Sequence, residues 1–182
     1  MTKNNLKMEL LKHLLEDPTR SVNKLAKKLG TYRKRVLRRK KELEADHIIW
    51  GYTAVVDESK LNYVLYLAQF RIQPISKAFA ELITKRRTTG TPSKEGVRII
   101  DIFYMNGNYD VIIKFSAPDH ATARKYYEKL RVTYKDFFRG DPSLSNVIFS
   151  IANSGKLNPE TEKLYDFVPE AEEIIETEKV VV

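Results

Sequence analysis

The hydrophobic periodicity changes near residue 60, and that change constrains the fold of the 182-residue chain more than any other feature. Up to Ala45 the apolar residues recur at helical spacing. From Tyr63 onward, several short runs are dense in β-branched and aromatic residues, as strands are. A helical domain followed by one built on a sheet is expected, which makes the fold class α+β.

In the helical part, "LKMELLKHLLE" (6–16) places Leu6, Leu10, Leu11, Leu14 and Leu15 on one stripe. Pro18 breaks that helix. Ser21 is placed to cap a second one, with Val22, Leu25, Ala26 and Leu29 inward, and Gly30 ends it. Thr31 is placed to cap a third, running to about Ala45. On that third helix Tyr32, Val36 and Leu43 fall within about 40° of one face, so Tyr32 is assigned to the core rather than to any surface role. Lys34, Arg38 and Lys41 point the other way, and Arg33 and Arg35 flank the exposed side. Three short helices with a glycine turn before the third form a helix-turn-helix. "HIIWGYTAVVD" (47–57) then reads as a wing strand or as the exit from the module, with Trp50 and Tyr52 packing the junction between domains.

Charge bears on the partner. The chain carries a net +8. Residues 1–60 and 61–156 are each basic, whereas 157–182 is acidic. Ten Lys or Arg and no Asp or Glu lie between Lys24 and Lys41, seven of them in the nine positions Arg33–Lys41. Solvated helix surfaces ordinarily mix signs, so a run of this kind points to a polyanion, most often nucleic acid; solubility alone is the competing explanation. With no cysteine, disulfides, zinc-thiolate sites and thiol catalysis are excluded. No apolar run approaches the roughly 18 residues of a membrane span. The N-terminus lacks the pattern of a signal peptide, so the cytoplasm is the expected compartment. No Gly-rich nucleotide loop, carboxylate pair or metal spacing stands out, and neither a metal nor a cofactor is expected.

Beyond residue 60 the order reads β-α-β-β-α-β, a ferredoxin-like unit. Its strands are expected at 63–72, 97–104, 109–115 and 145–153, and its helices at 74–86 and 117–138. Ile75, Phe79, Leu82 and Ile83 face inward from the first helix; Ala123, Tyr127, Leu130, Tyr134 and Phe137 do so from the second. "MNGN" makes a hairpin of the middle strands, and 87–96 is a polar loop. Val111, Ile113 and Phe115 line one sheet face and Ile112 the other. An apolar second face needs cover, so oligomerisation is expected. The expected domains are 1–58, a winged helix-turn-helix; 59–156, a ferredoxin-like oligomerisation and effector domain; and 157–182, an acidic tail of short helices.

This two-domain plan resembles the Lrp/AsnC, or feast/famine, family of transcription regulators over roughly residues 5–153. "DPTRSVNKLAKKLG", "TYRKRVLRRKKELEADHIIWGYTAVVD" and "NGNYDVIIKF" carry the resemblance. His47 departs from it, standing where the family usually has glycine. The resemblance implies a DNA-binding homodimer, often assembled further, and in many members an amino-acid effector near a Gly-x-Tyr-Asp hairpin. Carried over, Gly107, Asn108, Tyr109 and Asp110 become effector candidates: backbone N–H groups for a carboxylate, Asp110 for an α-amino group. A plain turn in which Gly107 supplies a positive φ is the alternative.

For DNA, the third helix is expected to enter the major groove. Arg33, Lys34, Arg35 and Arg38 are assigned to bases or inner phosphates, and Lys27, Lys28, Thr31 and Lys41 to the backbone. Arg39, beside the inner face, is left to a phosphate or to a carboxylate of its own domain. Two other functions compete with sequence-specific regulation: a weakly specific architectural chromatin protein, and a sirohaem-decarboxylase-like enzyme. The latter would have only His13, His47 and His120 to work with.

Overall fold

A computed structural model describes residues 3–85 and 96–169. The chain divides between Ala54 and Val55 into two compact units.

The first unit holds α1 (Lys3–Glu16), α2 (Val22–Lys28) and α3 (Arg33–Ala45). Leu6, Leu10 and Leu14 of α1 are buried with Leu25, Ala26 and Leu29 and with Val36 and Leu43 of α3. Leu15, expected on the same stripe, is exposed. At 100° per residue it sits about 140° from Leu10, beyond the edge of the apolar face. Ser21 caps α2 as expected, its hydroxyl accepting from the Lys24 N–H at 3.3 Å.

Helices α2 and α3 end in the same way. After α2, Gly30 takes φ +57°, its N–H reaches Lys27 O and the Thr31 N–H reaches Ala26 O. After α3, His47 takes φ 55°, its N–H reaches Glu44 O and the Ile48 N–H reaches Leu43 O. Both are Schellman closures, which want glycine at the left-handed position. At His47 a side chain occupies it. The 47–57 stretch then takes the second of its two readings, the exit: it pairs with no strand among the described residues. Trp50 is 93% exposed, its indole N–H donating to His47 O at 2.7 Å.

In the second unit the elements are β1 (Val64–Ile72), α4 (Lys77–Lys85), β2 (Arg98–Tyr104), β3 (Val111–Ala117), α5 (His120–Thr133) and β4 (Phe138–Val147). The sheet order is β2-β3-β1-β4, antiparallel throughout, which is the ferredoxin-like arrangement. Alternation sorts the side chains. Tyr66, Ala68, Phe70 and Ile72 of β1, with Val111, Ile113 and Phe115 of β3, turn to the face packed by Phe79 and Leu82 of α4 and by Ala123, Tyr127 and Leu130 of α5. Leu65, Leu67 and Ile112 turn to the other. Asp119 caps α5, accepting from the Thr122 N–H, and that bond holds its carboxyl below the usual range.

Three boundaries differ from the sequence reading. α4 starts at Lys77, after Ser76 accepts from the Phe79 N–H at 3.1 Å, so Ile75 lies outside the helix and is exposed, as is Ile83. The long second helix stops at Thr133 and continues as a 3-10 turn, Lys135–Phe137. The last strand is shifted toward the N-terminus: β4 ends at Val147 because its partner Leu65 lies next to the start of β1, and beyond it no strand remains to pair with. Ala152–Asn153 and Lys156–Leu157, here β5 and β6, instead pair across Ser154 and Gly155. Both turn residues have positive φ, as a type I′ hairpin requires.

The segment after β6 folds back on its own unit. A 3-10 helix spans Thr161–Phe167, Phe167 meets Phe149 at 6.1 Å between ring centroids, and Asn158 donates to Ser150 O. Glu160 sits between Lys163 and Lys60 at 2.7 Å from each, and those ammonium donors hold its carboxyl at about 2. The expected loop at 87–96, except Gly96, and the acidic stretch from 170 lie outside the described residues.

The left-handed His47 yields a direct test. A β-carbon there costs roughly 1–2 kcal/mol, offset in part by glycine's own loss of freedom. His47→Gly is expected to stabilise the first unit by about 0.5–1 kcal/mol, read from native-state amide exchange along α3.

Candidate nucleic-acid interface

Val36 and Leu43 are 1% and 0% exposed, and these anchors set the rotation of α3. At 100° per residue, Arg33, Leu37, Lys41, Lys34 and Arg38 then occupy one outward arc of about 140°. All five are exposed. Arg33, Lys34 and Lys41 make no ion pair among the described residues. Arg38 only approaches Glu42, at 3.8 Å. Lys27 and Lys28, at the end of α2, are exposed as well.

The other basic residues of α3 are placed differently. Arg35 is half-buried. Lys40 lies over the Tyr52 ring at 4.6 Å, and the Tyr52 hydroxyl donates to Glu44 at 3.3 Å. Arg39 is buried, 2% exposed, with its guanidinium on the Glu42 carboxylate. Of the two roles left open for Arg39, the carboxylate of its own domain is the one it takes.

Two expectations at the start of α3 are corrected. The N-cap residue is Tyr32, not Thr31, and no side chain closes the first turn. The Thr31 hydroxyl is buried without a hydrogen-bond partner, because the Schellman closure of α2 has already fixed that backbone. Tyr32 in turn is 65% exposed rather than in the core: as the extended cap residue it lies outside the helical rotation from which its inward direction was projected. Tyr32, expected in the core in preference to readout, therefore joins this surface, and so does Leu37, for which no role was expected. The signal for Leu37 was present in its spacing, four residues from Arg33 and from Lys41.

The hairpin joining β2 and β3 carries the four effector candidates. Gly107 is not in the left-handed region, so it does not supply the positive φ expected of it in a plain turn, and a β-carbon there would meet nothing within 4 Å. Asn108 offers its carbonyl to Arg71 Nε at 2.8 Å, and the Arg71 guanidinium lies 5.8 Å from the Tyr109 ring centre. Asp110 ties the hairpin to β1. Its N–H donates to Phe70 O, and its Oδ2 accepts from the Ile72 N–H at 2.8 Å and from Arg139 at 3.4 Å. Its second oxygen is left outside these bonds.

Elsewhere in the second unit, a cavity of about 660 Å³ lies between the 55–60 stretch, the start of β1 and the segment after β4, with Val56, Leu65, Val147 and Phe149 among its walls. His13 and His47 belong to the first unit and His120 to the second.

Comparison with known proteins bears on the fold. Residues 3–49 match the winged helix-turn-helix DNA-binding family. No protein of curated function matches the sequence. Among solved structures, the chain is similar to an AsnC family transcriptional regulator from Agrobacterium tumefaciens, with 24% identity and a TM-score of 0.62 over 93% of this chain and 100% of that one. It is also similar to a transcriptional regulator from Neisseria meningitidis solved with L-Met, at 20% identity and a TM-score of 0.60 over 87% of this chain and 96% of that one. A third is LrpC of B. subtilis, at 18% identity and a TM-score of 0.56 over 84% and 99%. The two-domain α+β fold is thus the one the Lrp/AsnC-type regulators use, with a DNA-binding module at its N-terminus.

The buried Arg39 separates packing from charge. Arg39→Met keeps the volume of the stem and is expected to change stability by less than about 1 kcal/mol, whereas Arg39→Ala opens the core and is expected to cost about 2–3 kcal/mol. Amide exchange at Leu43 reads both.

Proposed function

We propose that the chain is a transcription regulator of the Lrp/AsnC type that binds duplex DNA sequence-specifically through the outward face of α3. One observation carries the reading: Arg33, Lys34, Arg38 and Lys41 share an exposed arc whose opposite side is locked into the core. In the major groove such a helix presents Arg33, Lys34 and Arg38 to base edges and inner phosphates, with the half-buried Arg35 at the flank of that face. An arginine pairing with guanine O6 and N7 supplies roughly 1–3 kcal/mol of discrimination. Lys27, Lys28 and Lys41 hold the flanking phosphates. Thr31, with its hydroxyl buried, contributes its place in the turn rather than a side-chain bond. The cytoplasm is the setting for such a regulator.

The second unit serves assembly and response. A second copy of the chain covers the exposed apolar side chains of that unit, among them Val64, Phe103 and Ile148. A homodimer then holds two reading heads at half-sites about one helical turn apart, or a multiple of it. The hairpin 107–110 is the place for an amino-acid effector. Its backbone and the Arg71 guanidinium face the carboxylate, and the free oxygen of Asp110 takes the α-amino group. The L-Met held by the Neisseria meningitidis regulator supports an amino acid as the class of effector. An architectural protein would protect long DNA without discrete sites, and footprinting distinguishes the two. For a decarboxylase, His13 and His47 stand in a different unit from His120.

Salt dependence and substitution test the interface together. Removing Lys27 or Lys28 is expected to weaken binding evenly across sequences and to flatten the log–log salt slope by about 0.9 for each phosphate no longer neutralised. Arg33→Ala is expected to cost about 1–3 kcal/mol on the preferred duplex and far less on random DNA. Fluorescence anisotropy over a salt series measures both. A flat salt response in the unmodified protein removes α3 from the groove.

A further inference from the structure

We propose that Leu37 is a specificity-determining residue that reads the 5-methyl group of a thymine in the major groove. The inference rests on the DNA-binding role assigned to α3 and adds to it which base its centre selects.

Three observations lead to it. Leu37 is the one large apolar side chain on the outward arc of α3; Arg33, Lys34, Arg38 and Lys41 surround it, and Glu44 and Ala45 enter the same arc only at the C-terminal end of the helix. It is 37% exposed and is not among the buried residues of the core cluster that holds Val36 and Leu43, so part of its apolar surface is open to a partner. Its position is central, one turn after Arg33 and one turn before Lys41, with Lys34 and Arg38 alongside.

Chemistry narrows what such a group can meet. The cations around it carry long stems that let their heads reach phosphates or guanine acceptors, while the shorter Leu37 offers only methyl groups at the middle of the ridge. Base edges in the major groove present acceptors, amino donors and one apolar projection, the thymine methyl. A leucine pressed on guanine O6 and N7, or on the adenine amino group, would strip water from polar atoms without replacing the bond. Against a thymine methyl, the same contact buries apolar surface on both sides and leaves nothing unpaired. The arrangement therefore reads as a thymine at the centre of each half-site, flanked by the bases and phosphates the cations hold.

The test uses the full chain. A preferred duplex is first selected from a random library, and each thymine in it is then replaced singly by deoxyuridine, which removes only the methyl group. Binding is measured by competition at one salt concentration. At one thymine per half-site, the wild type is expected to lose about fourfold in affinity, the value of one buried methyl group. Leu37→Ala is expected to bind the thymine and uracil duplexes equally. Alanine keeps helix propensity at an exposed site, and an unchanged thermal melt confirms that the variant is folded. The inference is overturned if the wild type is indifferent to uracil at every position, or if Leu37→Ala loses the same factor as the wild type. It is overturned too if selection yields no preferred sequence. Failure to bind any duplex would strike the proposed function itself, whereas indifference to uracil with tight binding strikes Leu37 alone.

Discussion

The seating of α3 through Val36 and Leu43 on the leucines of α1 and α2 is the constraint on which the candidate interface depends. Those two side chains set the rotation of the helix, and rotation decides which of seven cations meet solvent. A shift of one residue in the inward pattern would turn α3 by 100° and bring Leu37 and Lys40 toward the core. Arg39 shows how tightly the rotation is specified. It lies beside the inner face, and the protein buries its guanidinium on Glu42 rather than rotate the ridge to free it. A buried ion pair contributes little net stability, so the arrangement reflects where the neighbouring anchors had to go.

In the second unit the corresponding constraint is alternation along β1. Tyr66, Ala68, Phe70 and Ile72 point to the helices, and the remaining strands take their register from that row. Asp110 then fastens the β2–β3 hairpin to β1 through the Ile72 and Phe70 backbones. The carboxylate thereby couples the candidate effector turn to the central strand of the sheet. Anything that draws Asp110 away from Ile72 or Arg139 changes the hydrogen bonding of that strand's end, which gives an effector at this turn a structural consequence within its own unit.

The architecture was legible because it rests on period and punctuation. Ser21 and Gly30 bounded α2, and the strand order followed from β-branched runs. What the sequence hid has physical reasons. Thr31 resembled a cap because threonine is a good one, but the closure of α2 claims its backbone and Tyr32 becomes the cap residue. Projection onto a helical wheel misplaced Tyr32 because the wheel does not apply before the first helical residue. β4 starts seven residues earlier than its apolar run, at Phe138, because pairing with β1 rather than hydrophobicity sets its length. At the interface, the cations of α3 were visible as a run. Leu37 drew no assignment because the charge run alone marked that face, although its spacing from Arg33 and Lys41 places it among the cations.

The placement of charge on α3 argues for an external anion independently of exposure. A helix carries partial positive charge at its N-terminus and negative charge at its C-terminus, so carboxylates favour the first turn and cations the last. α3 reverses this. Arg33, Lys34 and Arg35 occupy the first turn, which has no acidic residue, and the last turn has no basic one. Glu42 and Glu44 lie toward that end instead. Each misplaced exposed charge costs roughly 0.3–1 kcal/mol in the isolated helix. No side chain caps the first turn to relieve it, so its free N–H groups add to the same positive field. A phosphate set at the N-terminus of α3 reverses the sign of every one of these terms at once, because the helix end, the open amides and three side chains all favour the same anion. The helix is arranged against its own stability in the way that a helix meant to receive phosphates would be.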